Sequence, residues 1–252
     1  MSLRSLGVSV LLLGVMTSVA GASVRSELDL AAKQGQVAFI VVTEPGAAGT
    51  VQAKEIVQQA MLRVKRSTLI ELERSNPENA ALVAQFRLAG APVPLILLVA
   101  RNGVIAGGLL ASQATPETLV GMVPSPKKAE ILKTLQSGKP VFITATRKGM
   151  PSEAKAAAAC VAACSKMGDK SVLVRIDMAD PREAAFLSEL KVNTSSTRPV
   201  TLVINVQGQL TGSYSEVPDV ASLVQAATRT GGGCAPGACG PGAASSCAPT
   251  KK

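Results

Sequence analysis

Five cysteines are the residues of this 252-residue chain best able to do chemistry, and no histidine accompanies them. The missing imidazole excludes Ser-His-Asp hydrolysis, histidine-ligated zinc or copper, and histidine general-base catalysis. Cys160 and Cys164 stand four residues apart in a helical pattern, so both point to one side. An internal repeat aligns them with Ile56 and Ala60 at an offset of 104, or with Val57 and Met61 at 103. Either alignment puts them on an apolar stripe, which predicts two buried small residues acting as hydrophobes. The competing reading is a redox or soft-metal pair, although parallel Cβ vectors make a bridge within one helix awkward.

The other three, Cys234, Cys239 and Cys247, are candidate reactive thiols in the Gly-, Pro- and Ala-rich stretch 230–252. That composition cannot build a core and predicts a flexible, disordered arm. Thiols there suit soft-metal capture or a disulfide, and an odd number invites pairing with another chain. Their spacings match no standard zinc or iron–sulfur pattern. No cofactor is expected, a soft metal ion on the tail thiolates being the alternative.

The elements around these residues come in two copies. Gly35 matches Gly138 and Phe39 matches Phe142 at an offset of 103; Pro77 matches Pro181 at 104, and Pro94 matches Pro199 at 105. Each copy reads as helix, apolar strand, helix, strand, helix, strand, glycine turn, strand and helix. Helices are expected over 51–64 and 154–167, 78–86 and 182–190, 116–122 and 218–227. Proline at 77 and 181 should open its helix, where its missing N–H is no loss. Strands alternating with helices argue parallel pairing, and Asn102-Gly103 and Gln207-Gly208 argue a closing antiparallel hairpin. The prediction is α/β: two tandem domains, 23–124 and 125–229, each a mixed sheet flanked by helices.

The segment Gly90-Ala91-Pro92-Val93-Pro94-Leu95-Ile96-Leu97-Leu98 through Asn102-Gly103 resembles the cis-proline strand and hairpin of the thioredoxin-like superfamily. Thr197-Arg198-Pro199-Val200-Thr201-Leu202 through Gly208 is a looser match, and together the resemblance covers residues 24–229. It implies cis bonds at Val93–Pro94 and Arg198–Pro199. It also implies a binding edge at Val93, Pro94, Arg198 and Pro199, where the family holds extended peptides. The family's Cys-x-x-Cys position is occupied by Ala47-Ala48-Gly49-Thr50 and by Met150-Pro151-Ser152-Glu153, a degenerate active-site loop. Neither can exchange disulfides. Thioredoxin-type oxidoreductase activity is therefore excluded at those positions, no other nucleophile–base pair stands out, and the fold cannot restore the chemistry.

Residues 1–22 read as a secretory signal peptide: Arg4, a short apolar core from Leu6 to Met16, then Ala20-Gly21-Ala22 before the cleavage point. Export to a periplasm or extracellular space is expected, with no transmembrane anchor after cleavage. The net charge of +9 is scattered and stacking aromatics are missing, so nucleic acid is not an expected partner. The function that fits is a non-catalytic protein-binding or scaffold component of the cell envelope. The alternative is thiol–disulfide or soft-metal handling through the tail, with or without Cys160 and Cys164.

Overall fold

The computed structural model describes residues 23–168 and 170–230. The expected signal peptide lies outside them, as do the tail from 231 on and with it Cys234, Cys239 and Cys247. The first copy runs α1 (Val24–Lys33), β1 (Val37–Thr43), α2 (Thr50–Met61), β2 (Ser67–Glu73), α3 (Ala80–Gln85), β3 (Leu95–Val99), β4 (Ile105–Leu110) and α4 (Pro116–Met122). The second repeats the order with α5 (Pro126–Gln136), β5 (Val141–Thr146), α6 (Glu153–Lys166), β6 (Val172–Asp177), α7 (Ala184–Glu189), β7 (Val200–Ile204), β8 (Leu210–Tyr214) and α8 (Val220–Thr228). The strand orders are β2-β1-β3-β4 and β6-β5-β7-β8. The chain thus folds as two tandem α/β units, each a four-stranded mixed sheet flanked by helices.

The central strand of each sheet reads as a continuous apolar run because both its faces are covered. In the first copy Phe39 and Val41 pack beneath α2 and α4, with Ala53, Val57, Ala60 and Leu119. On the opposite face Ala38, Ile40 and Val42 meet Ala31 of α1 and Leu82 of α3. The second copy repeats the sandwich. Phe142 lies beneath Cys160, Ala163 and Leu223, whereas Val141, Ile143 and Ala145 face Ile131, Phe186 and Leu187.

Pairing differs from the alternating-parallel expectation at one strand in each copy. β1 and β2 run parallel, but β3 is antiparallel to β1, and β7 to β5. The reason is helix length. α3 and α7 have six residues each, about 9 Å of axis, too little to carry the chain back along a seven-residue strand of roughly 23 Å. The chain therefore re-enters the sheet at the end it left. The hairpins are antiparallel as expected, turning at Gly103 and Gly208, whose φ values of +81° and +80° favour glycine.

Other boundaries shift. Pro77 opens a short 3-10 turn over Pro77–Asn79 before α3, and Pro181 stands in a turn ahead of α7 rather than in its first helical position. Val93–Pro94 is cis; Arg198–Pro199 is trans, against the expectation drawn from the family. In the second copy Arg198 and Pro199 instead follow a local turn, in which Ser196 Oγ donates to Arg198 O and accepts from Arg198 N.

The copies meet where α5 crosses the β3–β4 turn. Ala100, Val104 and Ala129 bury one another, Asn102 Nδ2 donates to Ala129 O at 2.7 Å, and Gln136 Nε2 donates to Ile105 O at 2.9 Å.

Candidate functional site

In the first copy the loop before α2 is closed by hydroxyls rather than thiols. Thr43 and Thr50 share a hydrogen bond of 2.8 Å between their Oγ1 atoms, and Thr50 Oγ1 donates to Ala47 O at 2.9 Å. Gly49 precedes the helix with φ +85°, and a Cβ there would lie 4.0 Å from the Pro94 ring. Ala48, Gly49, Val93 and Pro94 thus line one cleft of about 300 Å³, together with Gln52, Pro92, Leu110, Ala111 and Ser112. Arg74 supports its rim. Its guanidinium donates to Glu44 Oε1 from Nε at 2.7 Å, and from Nη1 to Leu88 O at 3.0 Å and to Ala91 O. One side chain therefore ties the loop before α2 to the loop before the cis-proline.

In the second copy the equivalent loop is held by Met150, whose Sδ accepts from Arg147 N at 3.2 Å. Ser152 stands where the first copy has Gly49, again with φ positive, at +65°. Pro151 and Ser152 come together with Arg198 and Pro199 in a cleft of about 370 Å³ that Ser215, Glu216 and Val217 complete. Arg198 is exposed and paired with Glu216 at 3.0 Å, whereas Pro199 is buried. Glu153 points elsewhere and accepts from Thr146 Oγ1 at 3.4 Å.

Because Gly49 and Ser152 both cap their helices, the helices align at an offset of 103. Cys160 takes the place of Val57 and Cys164 that of Met61. Cys160 is fully buried, and burial pushes its thiol up to about 12, with the neighbouring Cys164 raising it further and Arg175 opposing. Cys164 is only half-buried, a correction to the expectation that both are core residues. The two thiols are free and do not form a disulfide. Among the described residues, no three Cys, Asp or Glu side chains gather as a metal site.

A larger cleft was not foreseen from the sequence. It has a volume of about 890 Å³ and lies along α6 above β5 and β6, walled by Ala154, Ala157, Ala158, Val161 and Ala162. Thr144, Thr146, Met150, Ser152, Glu153, Lys155 and Arg175 supply the rest of its lining. The signal was present in the repeat. Where the first copy bridges helix and sheet with Lys54 and Glu71 at 2.6 Å, the second has Ala157 and Arg175.

No family model matches the chain, and no curated protein matches it. Similar solved structures include the first two thioredoxin domains of Eps1p from Naumovozyma dairenensis, 14% identical, covering 79% of this chain and 92% of that one, with a TM-score of 0.30. The zinc-bound form of human ERp44 is 10% identical, covering 70% of this chain and 49% of that one, with a TM-score of 0.32. An N-terminal domain of alkylhydroperoxide reductase AhpF from Enterococcus faecalis is 13% identical, covering 81% and 98%, with a TM-score of 0.29.

Proposed function

We propose that this is an exported, non-catalytic member of the thioredoxin-like class that binds extended polypeptide at its proline edges, as a scaffold component of the cell envelope. The observation that supports the reading most is the first copy's cleft. The cis-proline ledge of Val93 and Pro94 faces a loop of Ala48 and Gly49, with the surrounding geometry kept and the thiols replaced. An edge of this kind offers backbone hydrogen bonds to an added strand and shallow apolar contact to its side chains. Without a thiolate beside the ledge, a bound segment is held and not reduced.

The test is fluorescence polarisation with a panel of unstructured peptides on the mature protein. Saturable binding is expected, weakened about tenfold by Val93→Glu, with no insulin reduction once the tail thiols are blocked. Disulfide turnover after that blocking, or binding indifferent to Val93→Glu and Arg198→Glu, overturns the reading. Binding lost only on replacing Cys234, Cys239 and Cys247 transfers the function to the tail thiols.

A further inference from the structure

The two copies are an internal control for each other, and the comparison isolates one surface. The offset that matches Phe39 with Phe142 equates Val41 with Thr144, and since Val41 pairs with Glu71 and Thr144 with Arg175, the sheet register equates Glu71 with Arg175. In the first copy this face is apolar and bridged: Val41 is fully buried and Lys54 reaches Glu71. In the second copy the bridge is gone. Ala157 leaves no side chain beyond Cβ to span the gap, and the Arg175 side chain makes no ion pair or hydrogen bond among the described residues. Thr144 is 1% exposed, lines the cleft, and takes part in no side-chain hydrogen bond among the described residues. Val41 fills the equivalent place with a methyl group, whereas the Thr144 hydroxyl borders the cleft and is a polar group that a ligand there can reach.

We propose that the cleft between α6 and the β5–β6 edge binds a small aliphatic carboxylate. Arg175 supplies a guanidinium fork matched to a carboxylate, and Thr144 a hydroxyl donor beneath it. Ala157, Ala158 and Val161 offer the aliphatic body an apolar wall, Val161 being 49% exposed on the surface of α6. A volume of about 890 Å³ falls within the range of small-molecule sites. No aromatic residue lines the cleft, so nothing there would stack a base or a ring. Lys155 adds a second positive charge and Glu153 one negative charge, a balance that favours a single carboxylate over a dianionic phosphate. This site borders the second copy's proline-edge cleft through Ser152 but shares no residue with the Val93 and Pro94 cleft that supports the polypeptide-binding reading, so its success or failure leaves that reading untouched.

Isothermal titration of the mature protein with octanoate, below its micelle concentration, tests the assignment. One saturable site is expected, weakened about tenfold in Arg175→Ala and severalfold in Thr144→Val, which installs the first copy's residue at an equivalent place. Ala158→Leu, on the exposed side of the wall, should abolish binding by filling the cleft, with its circular dichroism unchanged. Octanol and octylamine should bind at least about tenfold more weakly than octanoate. Equal binding by wild type and Arg175→Ala, octanol binding as tightly as octanoate, or no saturable heat overturns the proposal. Tighter binding of octyl phosphate than of octanoate overturns the choice of a carboxylate.

Discussion

A single thiol shows how much a residue's meaning depends on its neighbours. Cys160 carries a nucleophile's atom and a hydrophobe's surroundings: Phe142, Ala163, Val203 and Leu223 enclose it. The repeat predicts that apolar environment, because the aligned residue, Val57 or Ile56, is apolar in either register. It could not predict that Cys164 is only half-buried, since a helical stripe has an edge and the sequence does not say where the facing helix ends. The raised thiol of Cys160 has a consequence for stability. Its unfolded-state value is about 9, and burial lifts it to about 12, so between these the unfolded chain releases a proton that the folded chain keeps. Stability contributed by the neutral thiol is therefore complete below pH 9 and falls as pH rises towards 12, with a limiting slope of about 1.4 kcal/mol per unit. Cys160→Val, which copies Val57, should match wild type at pH 7 and unfold less readily at pH 10 to 11. Urea melts across that range check this; parallel pH profiles for the two proteins would show the thiol to be titrating freely. At neutral pH a brief alkylation should label Cys164 and spare Cys160.

Helices α5 and α7 illustrate what element-level patterns leave out. The repeat places a helix at both positions, and Pro126 stands in the first turn of α5. The contact between them was not legible, because it depends on a carboxylate from the turn before α7. Glu183 is 1% exposed and accepts from Ser125 Oγ at 2.5 Å and from Lys127 N at 3.0 Å, so it closes the N-terminus of α5 from outside the helix. Lys128 adds an ion pair to Glu189 at 2.6 Å and lies 5.7 Å above the Phe186 ring. The equivalent residue in the first copy, Asn79, donates to Glu73 O instead, so the repeat gave no precedent for the clamp. Glu183→Ala should cost about 2 kcal/mol, since it orphans the Lys127 N–H and buries a void. Glu183→Gln keeps an acceptor there and should cost less than half as much. Chemical denaturation of the two variants separates a hydrogen-bonded cap from mere filling of space, which would make them equal. The antiparallel β3 and β7 belong to the same lesson: six-residue helices cannot complete a crossover, and helix length was the least certain part of the pattern.

At the scale of the whole molecule the question is whether two copies make two proteins or one. Each has its own sheet and its own pair of apolar layers, all of which the repeat made legible, down to the paired glycine turns. What the repeat could not show is the joint, because a repeat describes what the copies share and the joint is where they differ. The contact is small. Ala100 and Val104 of the first copy bury Ala129 of α5, and two side-chain amides, Asn102 and Gln136, donate across it to backbone carbonyls. An interface of this size couples neighbouring domains by an amount comparable to one or two buried hydrogen bonds, roughly 1 to 3 kcal/mol. That coupling is large enough to hold the two proposed sites in one frame and small enough to be removed by one substitution. Ala129→Asp places a carboxylate in a position 7% exposed, beside apolar Ala100 and Val104. Calorimetry should then resolve two transitions where the parent shows overlapping or single melting, with the melting of the second copy falling most because α5 belongs to it. The cleft along α6 lies on the far side of the second sheet from α5, so octanoate binding should survive the substitution. A variant that melted like its parent would mean that the joint carries no coupling and that each copy stands alone.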